Sequence, residues 1–335
     1  MVTIKELARE LNVSISTVSK ALNDNPEISD ITIARIKELA VLRNYKPNKA
    51  AVSLKRNKTM TIGVIIPDIL NHFFAKVLHG IEEASSKLGY NIITCISNES
   101  YEKEVDILQL LADGTVDGFI LAVAEETQVK NISNHFKKVL DDKIPIVMFD
   151  RIIEDINCDK VIIDDFEATY DATKTLLNEG RKNIVLINQI GQLSVGKHRV
   201  EGYKKAIEDY SSYSKSPNVV VIDKNADLEQ SIISIFEENT DLDGIISIDN
   251  ISGVTAINVA KNRDLAISKD ISIIGFSSDD ILAFSSPKLS TVAQHGETIG
   301  STAVKLLIDR LENKTTLKKV IKTVPFLIKL RETTK

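Results

Sequence analysis

Residues 3–23 read TIKELARELNVSISTVSKALN, and their spacing decides how the first part of the chain folds. Thr3 and Glu6 form a T-x-x-E capping box that starts a helix near Ile4. Ile4, Leu7, Ala8 and Leu11 recur on one face of it. The Asn12-Val13-Ser14 break is a short turn, and Ser14 is placed to cap a second helix. In that helix Val18, Ala21 and Leu22 point to a core, while Ser16, Ser19, Lys20 and Asn23 point outward. Asn25-Pro26 closes it, and Ser29 or Asp30 caps a third helix with Ile33, Ile36 and Ala40 on one side. Two short helices joined by a tight turn, the second with a polar outer face, describe a helix-turn-helix. The pattern also fits a plain three-helix bundle with an ordinary solvated face. As a reader of the major groove, the second helix would offer serine hydroxyls to several base edges, Lys20 to guanine acceptors and Ile15 to a thymine methyl.

Charge favours the nucleic-acid reading. Residues 1–58 hold eleven Lys and Arg against six acids, a net of +5, whereas the whole chain is at −5 and the remainder therefore at −10. A basic head suits phosphate binding, and an acidic body is repelled from the duplex.

Residues 48–55, NKAAVSLK, follow Pro47 and have room for about two helical turns capped by Asn48. A helix so short does not hold alone in water, because nucleation outweighs its few hydrogen bonds. It needs a surface, and a second copy over a DNA minor groove would supply one.

The runs VTIKELARELNVSISTVSKALN, YKPNKAAVSLK and TIGVIIPDI resemble the LacI/GalR family of bacterial transcription regulators. VDGFIL, PIVMFDR, HRVEGYKKAI, ISIIGFSSDD and LIKLRET follow in the family's order, so the resemblance covers essentially all 335 residues. It implies a homodimer on a near-palindromic double-stranded DNA operator, contacted through Thr3, Ile15, Ser16, Thr17, Lys20, Asn48, Ala51, Leu54 and Lys55. Leu54 matches the hinge leucine that wedges into the central base step, the alternative being a plain linker leucine. Val52 stands where an arginine often precedes the Ser-Leu pair.

The rest of the chain, at 43% hydrophobic residues overall, alternates strand-like and helical runs. Strands are predicted at 61–66, 91–96, 118–123, 144–149, 183–187, 218–222, 244–248 and 271–276, and helices near 72–88, 101–113, 165–179, 198–209, 227–238, 251–263 and 295–312. This alternation predicts an α/β body of two doubly wound parallel sheets behind the all-α head. The resemblance makes it a two-lobed, periplasmic-binding-protein-like body with three crossovers and an effector in the cleft. The expected organisation is a helix-turn-helix domain over 1–46, a hinge helix and linker over 47–59, and an effector-binding and dimerisation body over 60–335. Within it, lobe 1 takes about 60–162 plus 292–325 and lobe 2 about 163–291.

No signal peptide or membrane-length apolar run is present, and the two cysteines, Cys95 and Cys158, show no metal spacing; a cytoplasmic protein is expected. No nucleotide-binding glycine motif, no G-x-S-x-G and no H-x-x-x-H pair occurs, so no catalytic residue, cofactor or metal is assigned. In doubly wound folds ligands lie beyond the carboxyl ends of strands. Phe73 or Phe74, in the loop after the first strand, would stack on a sugar or base, or else start a helix as core residues. Arg151 offers a fork to ligand hydroxyls or a carboxylate, or an interlobe or subunit ion pair. The resemblance places Arg199 on the effector, with Asp249, Ser277 and Asp279 near it. Asp249-Asn250 inverts the family's usual Asn-Asp; Ser277 stands where many members have Asp, and Ala226 where some have an aromatic. A regulator controlled by a small molecule, by family frequency a carbohydrate, is the resulting expectation. The rivals are control of the same fold by a protein co-regulator, a stand-alone sugar-binding protein, and an enzyme.

Overall fold

The computed structural model describes residues 2–45, 58–210, 216–249, 251–277, 285–312 and 318–335. The chain divides into two compact units, residues 1–60 and 61–335.

The first unit holds α1 (Ile4–Glu10), α2 (Ile15–Ala21) and α3 (Asp30–Leu42). The capping box forms in both directions: Glu6 N–H donates to Thr3 Oγ1 at 3.3 Å and Thr3 N–H to Glu6 Oε2 at 2.7 Å. Ser14 caps α2 by accepting from Thr17 N–H at 3.0 Å, and Ser29, not Asp30, caps α3. Leu7, Ala8, Val18, Ala21, Ile36 and Ala40 make the core. The hinge helix expected over 48–55, with Asn48, Ala51, Val52, Leu54 and Lys55, lies outside the described residues.

The second unit opens with β1 (Thr61–Ile66), α4 (His72–Lys87), β2 (Asn91–Ile96), α5 (Tyr101–Ala112), β3 (Gly118–Leu121), α6 (Glu125–Lys130), α7 (Asn134–Asp141), β4 (Ile146–Phe149) and β5 (Asp159–Ile162). It continues with α8 (Asp165–Asn178), β6 (Ile184–Asn188), α9 (Ser194–Asp209), β7 (Asn218–Val221), α10 (Leu228–Glu238), β8 (Gly244–Ser247), α11 (Ser252–Asn262), β9 (Ser272–Phe276) and β10 (Ser290–Ala293). It ends with α12 (Gly296–Glu312), β11 (Ile321–Thr323) and β12 (Leu327–Lys329).

These strands form two six-stranded sheets, ordered β11-β5-β4-β3-β1-β2 and β12-β10-β9-β8-β6-β7. Every pair is parallel except β10 with β12. β1, β3, β4, β6, β8 and β9 are buried nearly throughout, which explains their unbroken apolar text, since helices cover both faces of such sheets. The chain passes between sheets three times: after β5, after β10 and between β11 and β12. Val292 and Ala293 belong to β10 of the second sheet, so the return crossing falls after Ala293 rather than after residue 291.

In both sheets the strand order reverses at the first strand, β1 beside β3 and β6 beside β8, and the crevice beyond their carboxyl ends is the preferred place for a ligand. In the first lobe α4 and α12 pack closely: a Cβ at Gly80 would strike the Glu297 carbonyl, and one at Gly300 the Val77 carbonyl.

Candidate functional site

A cleft of about 640 Å³ lies between the two lobes, lined from both. From lobe 1 come Asp68, the start of α4 and the end of β4; from lobe 2, the loop and first turns of α9 and the ends of β7 and β8.

The lobe 1 wall is built by local capping. Asn71 Oδ1 accepts from Phe73 N–H at 3.0 Å and starts α4, setting Phe73 and Phe74 into its first turn. Their rings meet edge-on, with centroids 5.4 Å apart, and both border the cleft while largely buried. Arg151 lies above the Phe74 ring at 5.2 Å and donates from Nη1 to both oxygens of Glu99 at 2.7 Å. Its ion pair lies within lobe 1 rather than between lobes, and Arg151 also borders the cleft. Asp150 and Glu99 both adopt left-handed backbone, at φ 55° and 60°, a conformation uncommon outside glycine and often found where a side chain is aimed at a ligand.

On lobe 2, α9 carries Arg199, almost fully buried at the cleft floor. Its Nε donates to Asp165 Oδ1 at 2.7 Å, its Nη1 to the Ile248 carbonyl at 2.9 Å, and its guanidinium lies 4.2 Å over the Phe276 ring. Nη2 makes no hydrogen bond among the described residues. Asp249 borders the cleft, but its carboxylate caps α11: Oδ1 accepts from Ile251 and Ser252 N–H at 2.8 Å, and Oδ2 from Ser252 Oγ at 2.6 Å. Ser277 is buried after β9, outside the cleft lining, with its N–H on the Val292 carbonyl; Asp279 and Asn250 lie outside the described residues.

Asp150 had been given no role by the sequence, yet it is the least committed acceptor in the cleft. Its carboxylate takes no hydrogen bond from the described residues although only 9% of the residue is exposed. Burial, with the nearby Asp165 charge, pushes its pKa up to about 6, against the pull of Arg199 and Arg151. Asp165 is also raised by burial, opposed by Arg199.

The lobes touch directly at α6. Gln128 Nε2 donates to Ser194 Oγ at 3.0 Å, and Ser194 N–H returns a bond to Gln128 Oε1 at 3.3 Å. Glu125 pairs with Lys224, which also borders the cleft. α6 is itself held from below: buried Glu104 accepts from Ala124 N–H at 2.8 Å, from Thr127 Oγ1 at 2.7 Å, and sits 2.9 Å from His135 Nε2. Sequence reasoning passed over Gln128, Lys224 and Glu99; only the rule that ligand groups follow strand ends could have flagged the last two.

In the first unit Ile15 and Ser16 are exposed at the start of α2, Thr17 is half-buried with its hydroxyl 2.8 Å from Ser14 Oγ, and Lys20 pairs with Glu27. Thr3 is exposed but its hydroxyl is engaged by Glu6. No group of three or more potential metal ligands occurs among the described residues, and none of their helices is long and apolar enough to cross a membrane. Cys95 and Cys158 are free, and burial pushes the Cys158 thiol up to about 11.

A helix-turn-helix unit on a doubly wound body with an interlobe cleft is the architecture of a ligand-responsive transcription regulator. A family model described as "Bacterial regulatory proteins, lacI family" matches residues 3–48, and one described as "Periplasmic binding protein domain" matches residues 62–315. Catabolite control protein A of Priestia megaterium is 31% identical over 336 residues, spanning all of this chain and 99% of that protein. A LacI family transcriptional regulator from Enterococcus faecium with bound ribose is 27% identical, with a TM-score of 0.69 over 82% of this chain and 98% of its own. The lac repressor dimer bound to operator and the anti-inducer ONPF shares the fold at 18% identity, with a TM-score of 0.86 over 99% of each chain. The chain belongs to the LacI family of DNA-binding transcription regulators.

Proposed function

We propose that the protein is a homodimeric, cytoplasmic repressor, without enzymatic activity, whose affinity for a near-palindromic operator is set by a carbohydrate-like effector in the interlobe cleft. The observation that carries this reading is the convergence of Arg199, Arg151, Asp150 and the Phe73–Phe74 pair on one cleft: fixed polar groups for hydroxyls beside aromatic surface for the faces of a ring. The relative that holds ribose and the operator-bound relative support it. Ile15, Ser16, Thr17 and Lys20 are the base-reading candidates, and Thr3, Asn48, Ala51 and Lys55 the candidates for positioning on the duplex, with Leu54 as the minor-groove wedge. Asp249, Ser277 and Asp279 are the further candidates for contact with the effector.

The effector acts by favouring one setting of the lobes. The latch of Gln128, Ser194, Glu125 and Lys224 amounts to a few hydrogen bonds and one partly exposed ion pair, about 1–3 kcal/mol in all, a scale a bound ligand can outweigh. A changed lobe setting changes the spacing of two hinges that hold only as a pair.

The test is operator binding by the full chain, with and without sugars, for the parent protein and Arg199→Lys. Lysine keeps a cation beside Asp165 but loses the planar fork. Operator affinity without effector should stay within about twofold while the sugar response weakens by at least about tenfold, the loss of one good charged contact. A parent-like response in the variant removes Arg199 from the site.

A further inference from the structure

We propose that the interlobe cleft takes an uncharged, hydroxyl-rich ligand and rejects its phosphate esters. The proposal rests on the reading that this cleft holds the effector, and deepens it by naming the ligand's charge class.

A phosphate in such a fold is held by cationic side chains or by the N–H groups of a helix start. Here the cations are already paired with carboxylates, and the helix starts are partly capped. Arg151 is neutralised by Glu99, Arg199 by Asp165, and Lys224 by Glu125. Asp68, Asp150 and Asp249 line the cleft in addition, so that, counting the three acids paired behind the lining and leaving His72 aside, three cations meet six carboxylates.

At the helix starts the first N–H groups are taken by side chains of the protein. Asn71 takes the N–H of Phe73 at α4, Asp249 takes two N–H groups at α11, and Gln128 takes the N–H of Ser194 at α9. At α11 the place a phosphate would fill is held by a carboxylate of the protein itself. A phosphate ester would bring its charge beside a carboxylate excess, facing Asp150. A neutral polyol meets the opposite situation: Asp150 accepts from a hydroxyl, Nη2 of Arg199 donates to one, and Phe73, Leu193 and Val195 cover the apolar ring face.

The experiment is thermal-shift and calorimetric titration of the full chain with matched pairs: ribose and ribose 5-phosphate, glucose and glucose 6-phosphate, fructose and fructose 6-phosphate. A signal is assigned to the cleft where Arg199→Lys weakens it, which separates cleft binding from phosphate on the basic head. The expected result is a cleft signal from at least one free sugar, with its ester weaker by about a hundredfold or more, as like-charge juxtaposition dictates. An ester that binds the cleft as well as or better than its parent sugar overturns the charge assignment while leaving the carbohydrate reading in place. Silence from both members of every pair overturns the carbohydrate reading, and this proposal falls with it.

Discussion

At Asp150 three influences meet: a left-handed backbone, a buried carboxyl without a hydrogen bond from the described residues, and two guanidinium groups already paired elsewhere. A carboxyl whose pKa is about 6 when folded, against an ordinary 3.8, holds its proton more tightly in the folded state. Its contribution to stability is therefore greatest below pH 3.8, declines as pH rises to about 6, and stays low above that. Asp150→Asn removes the charge and keeps a residue that tolerates left-handed backbone. The variant should melt higher than the parent at pH 8, by roughly 1–3 °C, with little difference at pH 4. An equal difference at both pH values would show that the carboxyl is not the cause. The residues that line the cleft were only half legible in the sequence. Arg199 stood out through its H-R-V-E-G-Y setting, but its counter-ion Asp165 lies in another helix, and Glu99 is fifty-two residues from Arg151. Pairings of that range are made by the sheets, and local spacing carries no trace of them. Asp249 has a second role the strand-end rule does not show: an acid at a strand end also precedes a helix, and it caps that helix.

Among the elements, the long buried strands and amphipathic helices match the predicted runs to within a few residues, and the exceptions have local causes. α6 and α7, of six and eight residues, are too short to show a period, and neither has a capping side chain of its own. β5, β11 and β12 are DKVI, IKT and LIK, edge or near-edge strands whose lysines hide the alternation. α9 starts at Ser194, four residues ahead of its predicted start, because the group that satisfies its first N–H comes from the other lobe. That makes Gln128 a joint between lobes as well as a helix cap. Gln128→Ala should leave the fold intact, lower the melting temperature by only about 1–2 °C, and shift the effector concentration at half-response severalfold, since bonds worth about 1 kcal/mol each are removed from one lobe setting. Unchanged dose–response would separate α6 from control of the lobes.

For the whole molecule, the sequence shows an uneven charge distribution, +5 over residues 1–58 against −10 elsewhere, so salt should govern its general affinity for DNA and shape its specific affinity. Leu54→Ala, in the hinge, should weaken operator binding by at least about tenfold while leaving salt-dependent binding to unrelated DNA unchanged, since an apolar wedge neutralises no phosphate. Equal loss on both DNAs would deny Leu54 the wedge role. The strand order has a consequence for how the protein is made. The head's core is complete by residue 40, but the first sheet lacks its edge until β11 and the second until β12, at residues 321 and 327. At about 5–20 residues per second on a ribosome, tens of seconds separate the emergence of the two ends. For that interval each nascent chain carries a complete helix-turn-helix on a body whose two sheets each lack an edge strand, so a message read by many ribosomes displays a cluster of heads ahead of any finished body.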